Sequence, residues 1–422
     1  MTQHTNSTLQ PYADLTDLDL FANGFPYDEF ARLREHDPVR WHPPTEFTPG
    51  GEGFWVVSRY SDVVSAARDI KTFSSSHGGP RTEGGGVLID DLPVGLVAGV
   101  LLNMTDDPRH MHVRKLLSPP FTSRALAGHE NELAVRAKAI VAGAIAQGEC
   151  DFLQDVAAEL PLQATAMLLG VPQEDRHKLL EWTVASLDHV DRDPGGTSPS
   201  LHKSMDEMYH YSVELLNSKR KCPADDVLSL AVHGKVPGLD GVPAPLTELE
   251  TSTLFSLLIA AGAETTRNSI ALGMQALIDR PQVWHELRAD RGLLSGAVDE
   301  MLRFTSVSTY NRRTATRDTE LGGARIAAGD KVTLWWASAN RDPAVFSNPD
   351  NFDIRRNPNP HVTFGIGGHF CMGAAFARIL MRLVFNELLD HVAEPTSTGP
   401  LEYSRSNKHV GVRRMPVRLQ TT

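Results

Sequence analysis

Apolar residues recur every three to four positions through most of this chain and alternate only in a few short stretches, so helices should dominate and sheets should be small. The helical period runs through 126–146, 152–169, 174–187, 205–216 and 226–232. Upstream, an amphipathic segment at 27–34 ends before Pro38. Two extended pieces, 39–41 and 54–57, flank a Pro/Gly-rich connection, and a helix starts at Ser61. Region 78–99, with Gly84-Gly85-Gly86, has no period and is predicted to be a long mobile loop of the kind that often serves binding. Thr247-Glu248-Leu249-Glu250 has the form of a capping box, and no proline follows until Pro281. A helix of about thirty residues, roughly 45 Å long, is therefore predicted. Its apolar run is broken by Ala261-Gly262-Ala263-Glu264-Thr265-Thr266, where glycine weakens the helix and the Thr265 hydroxyl can compete for a carbonyl one turn back. A bulge or kink is expected there. After a further helix the period changes to two at 309–316, 320–326 and 331–336, which read as strands. Segment 374–392 reads as an apolar helix and 404–420 as a terminal hairpin.

Composition narrows the class. A chain of 422 residues with 41% hydrophobic and 22% charged residues can build a large soluble core. Its N-terminus is polar and acidic, with no signal-peptide apolar region and no run long enough to span a bilayer, so a cytoplasmic protein without stable membrane insertion is expected. A formal net charge of -11 argues against nucleic-acid binding. Three cysteines without CxxC spacing suggest neither a disulfide framework nor a zinc ribbon.

One of those cysteines carries the candidate chemistry. Cys371 lies in Phe364-Gly365-Ile366-Gly367-Gly368-His369-Phe370-Cys371-Met372-Gly373, a glycine-rich turn that lets a flat ligand approach the backbone and presents a thiol able to bind a metal. Taken alone, the same pattern also fits a buried, inert cysteine. His110 and Arg114 fall four apart on one helix face, as an ordinary solvated pair would. Glu300 and Arg303 are three apart among apolar neighbours, which points to partial burial and a need for further partners.

These landmarks in this order resemble the cytochrome P-450 family of haem-thiolate monooxygenases, weakly its bacterial soluble branch acting on steroids or branched lipids, and the resemblance covers nearly everything from Tyr27 to Leu419. Phe364, Gly367, Cys371 and Gly373 match the family's cysteine-loop pattern, Glu300 and Arg303 its Glu-x-x-Arg pair, and Ala261-Gly262-x-Glu264-Thr265 its oxygen groove. The resemblance implies a mainly α fold with small β-sheets and haem between a long central helix and the cysteine loop. A flexible lead over 1–24 would precede a single domain over 25–422, with a small β-rich part from about 38–60 and 305–340.

What the resemblance implies chemically is C–H hydroxylation, or a similar oxidation, of a hydrophobic small molecule such as a steroid, terpenoid or branched lipid. The cofactor would be haem b (iron protoporphyrin IX), with dioxygen as oxidant and NAD(P)H used indirectly. Cys371 would be the metal ligand, with Phe364, Gly365 and Gly373 around it and Ala261 on the opposite side. His110, Arg114, Arg313 and His369 would hold the propionates, Arg313 being preferred to Arg312 by its Arg-x-Ala spacing. Thr265 and Glu264 would deliver protons to the bound oxygen. Many relatives carry Asp where this chain has Glu264, which changes the relay path. Glu300, Arg303 and Arg356 would form a structural charge network. The pocket would draw on Leu257, Leu258, Ala261, Val307, Thr309, the His409-Val410 turn, the 78–99 loop and the region of Leu187.

Electrons would come from a ferredoxin and its ferredoxin reductase, since the chain shows no flavin- or nicotinamide-binding fingerprint. Arg109, Lys115 and Arg382 are the candidate docking cations. Two other readings compete: a peroxide-using or isomerising haem-thiolate enzyme, disfavoured by the Glu264–Thr265 pair, and a nonenzymatic haem- or metal-binding protein using His361, His369 and Cys371.

Overall fold

A computed structural model describes residues 11–78, 81–82, 84–182, 199–238 and 240–421. The fold is mainly helical, with the helices gathered around one long rod. Thr247 caps that rod in a full capping box, exchanging hydrogen bonds with Glu250, and the helix then runs as Glu248–Ile259, a π-helical turn Ala260–Glu264, and Thr265–Ile278. The predicted bulge is thus a π turn. Helix Ala374–His391, which follows the cysteine loop, buries Phe376, Leu380, Met381 and Phe385 in the core shared with this rod.

The extended segments assemble as one five-stranded sheet in the order Val39–His42, Phe54–Val57, Lys331–Trp335, Tyr310–Ala315, Phe73–Ser74. Its pairs are antiparallel except Phe54–Val57 against Lys331–Trp335, which is parallel. Every residue of Lys331–Trp335 is buried, as suits a central strand. The strand stops at Trp336, which starts the short helix Trp336–Ala339.

Four expectations change. The lead is packed over its described part, 11–24: Leu15, Leu18 and Phe21 are buried, and the Phe21 ring stacks on Trp335 at 6.4 Å. Residues 1–10 lie outside the described residues. The helix predicted over 126–146 is two helices, Ser123–Ala127 and Glu130–Gln147, because Gly128 ends the first within a turn. The terminal hairpin is absent: Val412–Arg414 pairs with Glu402–Tyr403, whereas Pro416–Thr421 joins Val392–Ser397 and Glu149–Asp151 in another sheet. Finally, the 78–99 loop is anchored over its described residues. Gly85 and Leu92 exchange backbone hydrogen bonds, Arg312 N–H donates to Val87 O at 2.9 Å, and Asp91 pairs with Arg81, Arg312 and Lys331. Of the helix expected at 174–187, residues 176–182 are helical; the remainder, with Leu187, falls outside the described residues.

The irregular chain before the cysteine loop is held by charge. Glu300 and Arg303, both fully buried, form a bidentate pair at 2.8 Å. Arg303 also donates to the carbonyls of Asn340, Pro349 and Asn351, while Glu300 accepts from Arg356 at 3.1 Å, Asn359 at 3.1 Å and the Asp353 N–H at 2.8 Å. Asn340 continues the network by accepting from Val362 N–H and donating to Thr363. Removing one member strands a buried charge, a loss of about 3–5 kcal/mol. Glu300→Ala is therefore expected to lower the denaturant midpoint sharply and to reduce the fraction of folded protein that takes up cofactor; a stable, fully loaded variant would contradict this.

Candidate active site

The cysteine loop is closed by a hydrogen bond from Cys371 N–H to Phe364 O at 2.8 Å. Gly365 and Gly367 take φ values of +67° and +77°, a conformation that side chains rarely adopt. At Gly367 a Cβ would also stand 3.2 Å from Ala67 O. Burial among protein atoms pushes the Cys371 thiol up, while Gly373 N–H, Arg114 and Arg378 pull it down. The residue is nevertheless exposed. Phe364 flanks it, with the Arg378 guanidinium 4.6 Å from the ring centroid.

At the rim, four basic groups meet from three separate segments. His110 and Arg114 lie on helix Arg109–Leu117, Arg313 on strand Tyr310–Ala315 and His369 in the cysteine loop. The His110 and His369 rings stack at 3.8 Å, and His369 Nε2 lies 3.1 Å from Ser75 Oγ. Arg114 donates to Phe370 O at 2.5 Å. Strand alternation separates the two arginines that the sequence left as rivals. Arg312 turns to the loop, donating to Asp91, Leu88 O and Asp90 O. Arg313 is buried, donates to Arg312 O, and leaves its Nε without a partner among the described residues.

Burial, then Arg313, His110 and Arg114, push His369 down to about 2. Burial likewise lowers Arg313 to about 10, only partly opposed by Asp106. Two guanidiniums beside two imidazoles that burial keeps neutral, with an unpartnered buried guanidinium N–H, suit an anionic ligand. Haem fits this donor set: Cys371 would hold its iron, and Arg114, Arg313 and the His110 and His369 imidazoles its two carboxylates.

The long helix carries the remaining candidate residues. Leu257, Leu258, Ala261 and Thr265 fall on one stripe, Ala261 being exposed and the other three half-buried although buried residues flank them. The Thr265 hydroxyl donates to Ala261 O at 2.8 Å across the π turn. Gly262 lets this turn approach the Thr165 side chain, whose Oγ1 would be 2.8 Å from a Cβ. Glu264 is buried, and desolvation raises its carboxyl to about 7 despite the opposing pull of Arg267 and Lys408.

Val307 and Val410 are joined by a 2.8 Å backbone hydrogen bond and both are buried. Thr309, expected in the pocket lining, is fully buried instead, because its hydroxyl holds the turn below by donating to Asn407 O and Lys408 O.

Two docking cations also differ from expectation: Arg109 pairs with Glu250 at 2.5 Å and Arg382 with Glu130 at 3.2 Å, whereas Lys115 is exposed. Among the described residues no three His, Cys, Asp or Glu side chains form a metal-binding group, which removes the His361–His369–Cys371 arrangement; His361 lies 3.4 Å from Asp299. Sequence reasoning named His409 only as part of the pocket turn and missed Lys408 and Arg267 beside Glu264. Arg267 follows Glu264 by three on the same helix, a spacing legible in the sequence, whereas the approach of Lys408 and His409 depends on the path of the C-terminal chain, for which the sequence carries no local signal.

Comparison with known proteins agrees with this arrangement. The family model described as Cytochrome P450 matches residues 200–393. A relative named Putative cytochrome P450 126 from Mycobacterium tuberculosis is 46% identical over 96% of this chain and 97% of its own length. The Steroid C26-monooxygenase of Rhodococcus jostii is 38% identical over 97% of this chain and 85% of its own. The Linalool 8-monooxygenase of Pseudomonas putida is 34% identical over 96% and 98%. A solved structure, the Mycobacterium marinum cytochrome P450 CYP268A2 in complex with pseudoionone, superposes with a TM-score of 0.87 at 33% identity, covering 98% of this chain and all of that one. End-to-end likeness of this extent places the chain in the cytochrome P450 family, as a monooxygenase.

Proposed function

We propose that this enzyme inserts one atom of dioxygen into an apolar small molecule, a steroid side chain, terpenoid or branched lipid, with electrons from NAD(P)H carried by a separate ferredoxin reductase and ferredoxin in the cytoplasm. The observation that carries the reading is an exposed cysteine in a loop that gathers His110, Arg114, Arg313 and His369, in a chain whose long helix bears Thr265 on a partly exposed stripe with Glu264 buried next to it. The relatives support the substrate class: one is named for steroid C26 oxidation, another for oxidation of linalool, and a solved neighbour holds pseudoionone. No helix among the described residues is long and apolar enough to cross a membrane.

Bound haem supplies the oxygen activation, favoured by electron density from a thiolate ligand. Cys371 is its ligand. His110, Arg114, Arg313 and His369 receive the two carboxylates, and Phe364 excludes water beside the sulfur, with Gly365 and Gly373 keeping the backbone close. Leu257, Leu258 and Ala261 orient the apolar substrate through shape and desolvation. Thr265, whose hydroxyl donates to Ala261 O, would hold a transferable proton at Oγ1 for the oxygen chemistry that haem supplies. Glu264 replaces that proton; a carboxyl poised near neutrality can both hold and release it. Lys115 contributes to docking of the acidic carrier.

A reduced, carbon-monoxide-bound absorption spectrum should show the strongly red-shifted thiolate band, which Cys371→His should lose. Arg313→Leu should speed haem transfer to an apo-globin by about tenfold to a hundredfold, the range for removing a hydrogen bond to a charged group, about 1.5–3 kcal/mol; unchanged transfer would remove Arg313 from the carboxylate site. Thr265→Ala should lower product formed per reducing equivalent and raise peroxide release, whereas an unchanged ratio would refute its role. Difference spectra with steroids, terpenes, fatty acids and aromatic acids should show tight binding among the first three; preference for the aromatic acids would reject the substrate class.

A further inference from the structure

Glu264 Oε1 and His409 Nδ1 lie 3.5 Å apart. Each is a buried polar atom without a hydrogen-bond partner among the described residues, so each is the natural complement of the other. Their burial is unequal: the Glu264 side chain is 7% exposed and that of His409 20%. His409 is therefore the end of the pair nearer to water.

The approach is built into the backbone. Val412 N–H donates to Asn268 Oδ1 at 3.1 Å, and Asn268 lies one turn beyond Glu264 on the same face of the long helix. On its other side the C-terminal turn is fixed by the Ser308–His409 bridge and by the Val410 N–H bond to Val307 O. Gly411 permits this path, since a Cβ there would stand 2.1 Å from Ser404 Oγ.

The charged groups facing the pair are Arg267 from the long helix and Lys408 from the turn, with Arg313 acting on Lys408 from its strand and Asp151 on Arg267 from another. Lys408 itself is engaged, donating to Tyr310 O. Burial and Lys408 push His409 down to about 3, so its ring is neutral at ordinary pH and carries one N–H and one lone pair.

We propose that His409 is a positioning residue that passes protons from the more exposed side of the C-terminal turn to Glu264, making that turn the entrance of the proton path to Thr265. A water-derived proton bonds to Nε2 as the Nδ1 proton leaves for Glu264 Oε1. The imidazole stays uncharged overall, and exchange of both ring protons with water when the side chain swings toward the more exposed side restores the Nδ1–H tautomer without drawing the delivered proton back from Glu264. The inference rests on the monooxygenase reading and adds to it where protons enter.

Holoenzyme carrying His409→Asn or His409→Leu tests this, with an intact thiolate–carbon-monoxide band as the control for fold. The Glu264 carboxyl is first titrated by infrared difference spectroscopy, its band assigned with Glu264→Gln; this measurement needs no turnover. Loss of the donor to the carboxylate should raise its midpoint from about 7 by about one unit in His409→Leu. An unmoved midpoint overturns the pairing. Product formed per reducing equivalent and its solvent deuterium effect are then measured. Asn keeps a donor but cannot relay, so His409→Asn should lose about tenfold in coupling, a modest share of what a positioned proton-transfer group contributes. Normal coupling and isotope effect in His409→Asn overturn the relay. If Thr265→Ala leaves coupling unchanged, the proton-delivery reading itself is wrong, whereas uncoupling by Thr265→Ala with normal coupling in His409→Asn rejects the entrance alone.

Discussion

Two opposite charges taken wholly out of water are tolerable only while each stays paired and hydrogen-bonded, and Glu300 and Arg303 meet that condition by recruiting chain that has no regular structure of its own. The carbonyls of Pro349 and Asn351 and the N–H of Asp353 are fixed by this pair, and Arg356 and Asn359 close it from the outside. Asn340 extends it to Val362 and Thr363, immediately before Phe364. The position of Cys371 is thus set by an ion pair that does not touch it. A cysteine loop with four glycines could not hold itself.

The two sides of the site differ in electrostatics because they do different chemistry. Around the cysteine loop the buried groups are cationic or imidazole; Arg313, His110 and Arg114 lower the proton affinity of His369 and burial lowers that of Arg313, which leaves an unmet demand for negative charge. On the long helix the central group is a carboxyl whose affinity is raised by the same desolvation. Burial therefore acts in opposite directions on the two walls. It prepares one to bind an anion and the other to exchange protons near neutral pH.

Much of this was legible in the sequence where the signal was local. The Thr247 capping box, the Gly262–Thr265 disturbance and the Glu300–Arg303 spacing each describe one stretch of helix, and each appears where the residues imply. Alternation in the strand at Arg312 and Arg313 likewise requires the two side chains to diverge. What stayed hidden depended on distant contact. Polar residues at 11–24 suggested a free lead, yet Phe21 and Phe25 join an aromatic cluster with Phe30 and Trp335. Alternation at 404–420 suggested one hairpin, but two different sheets claim its halves. Arg109 and Arg382 read as free cations because Glu250 and Glu130 lie far off in the chain.

The 78–99 loop shows why substrate choice is the least legible property. Glycine content correctly predicts that it lacks regular structure, but its position comes from Asp91, which gathers Arg81, Arg312 and Lys331. Lys331 and Arg312 are almost wholly buried, and they need Asp91 and Glu52 as much as the loop needs them. The sheet therefore holds this loop by compensating its own buried charge. A pocket that drew on the loop would take its shape from pairings between separate segments, and no single stretch of residues would encode it. The cysteine loop, by contrast, carries its chemistry within a few consecutive positions, so reaction type can be read where substrate cannot.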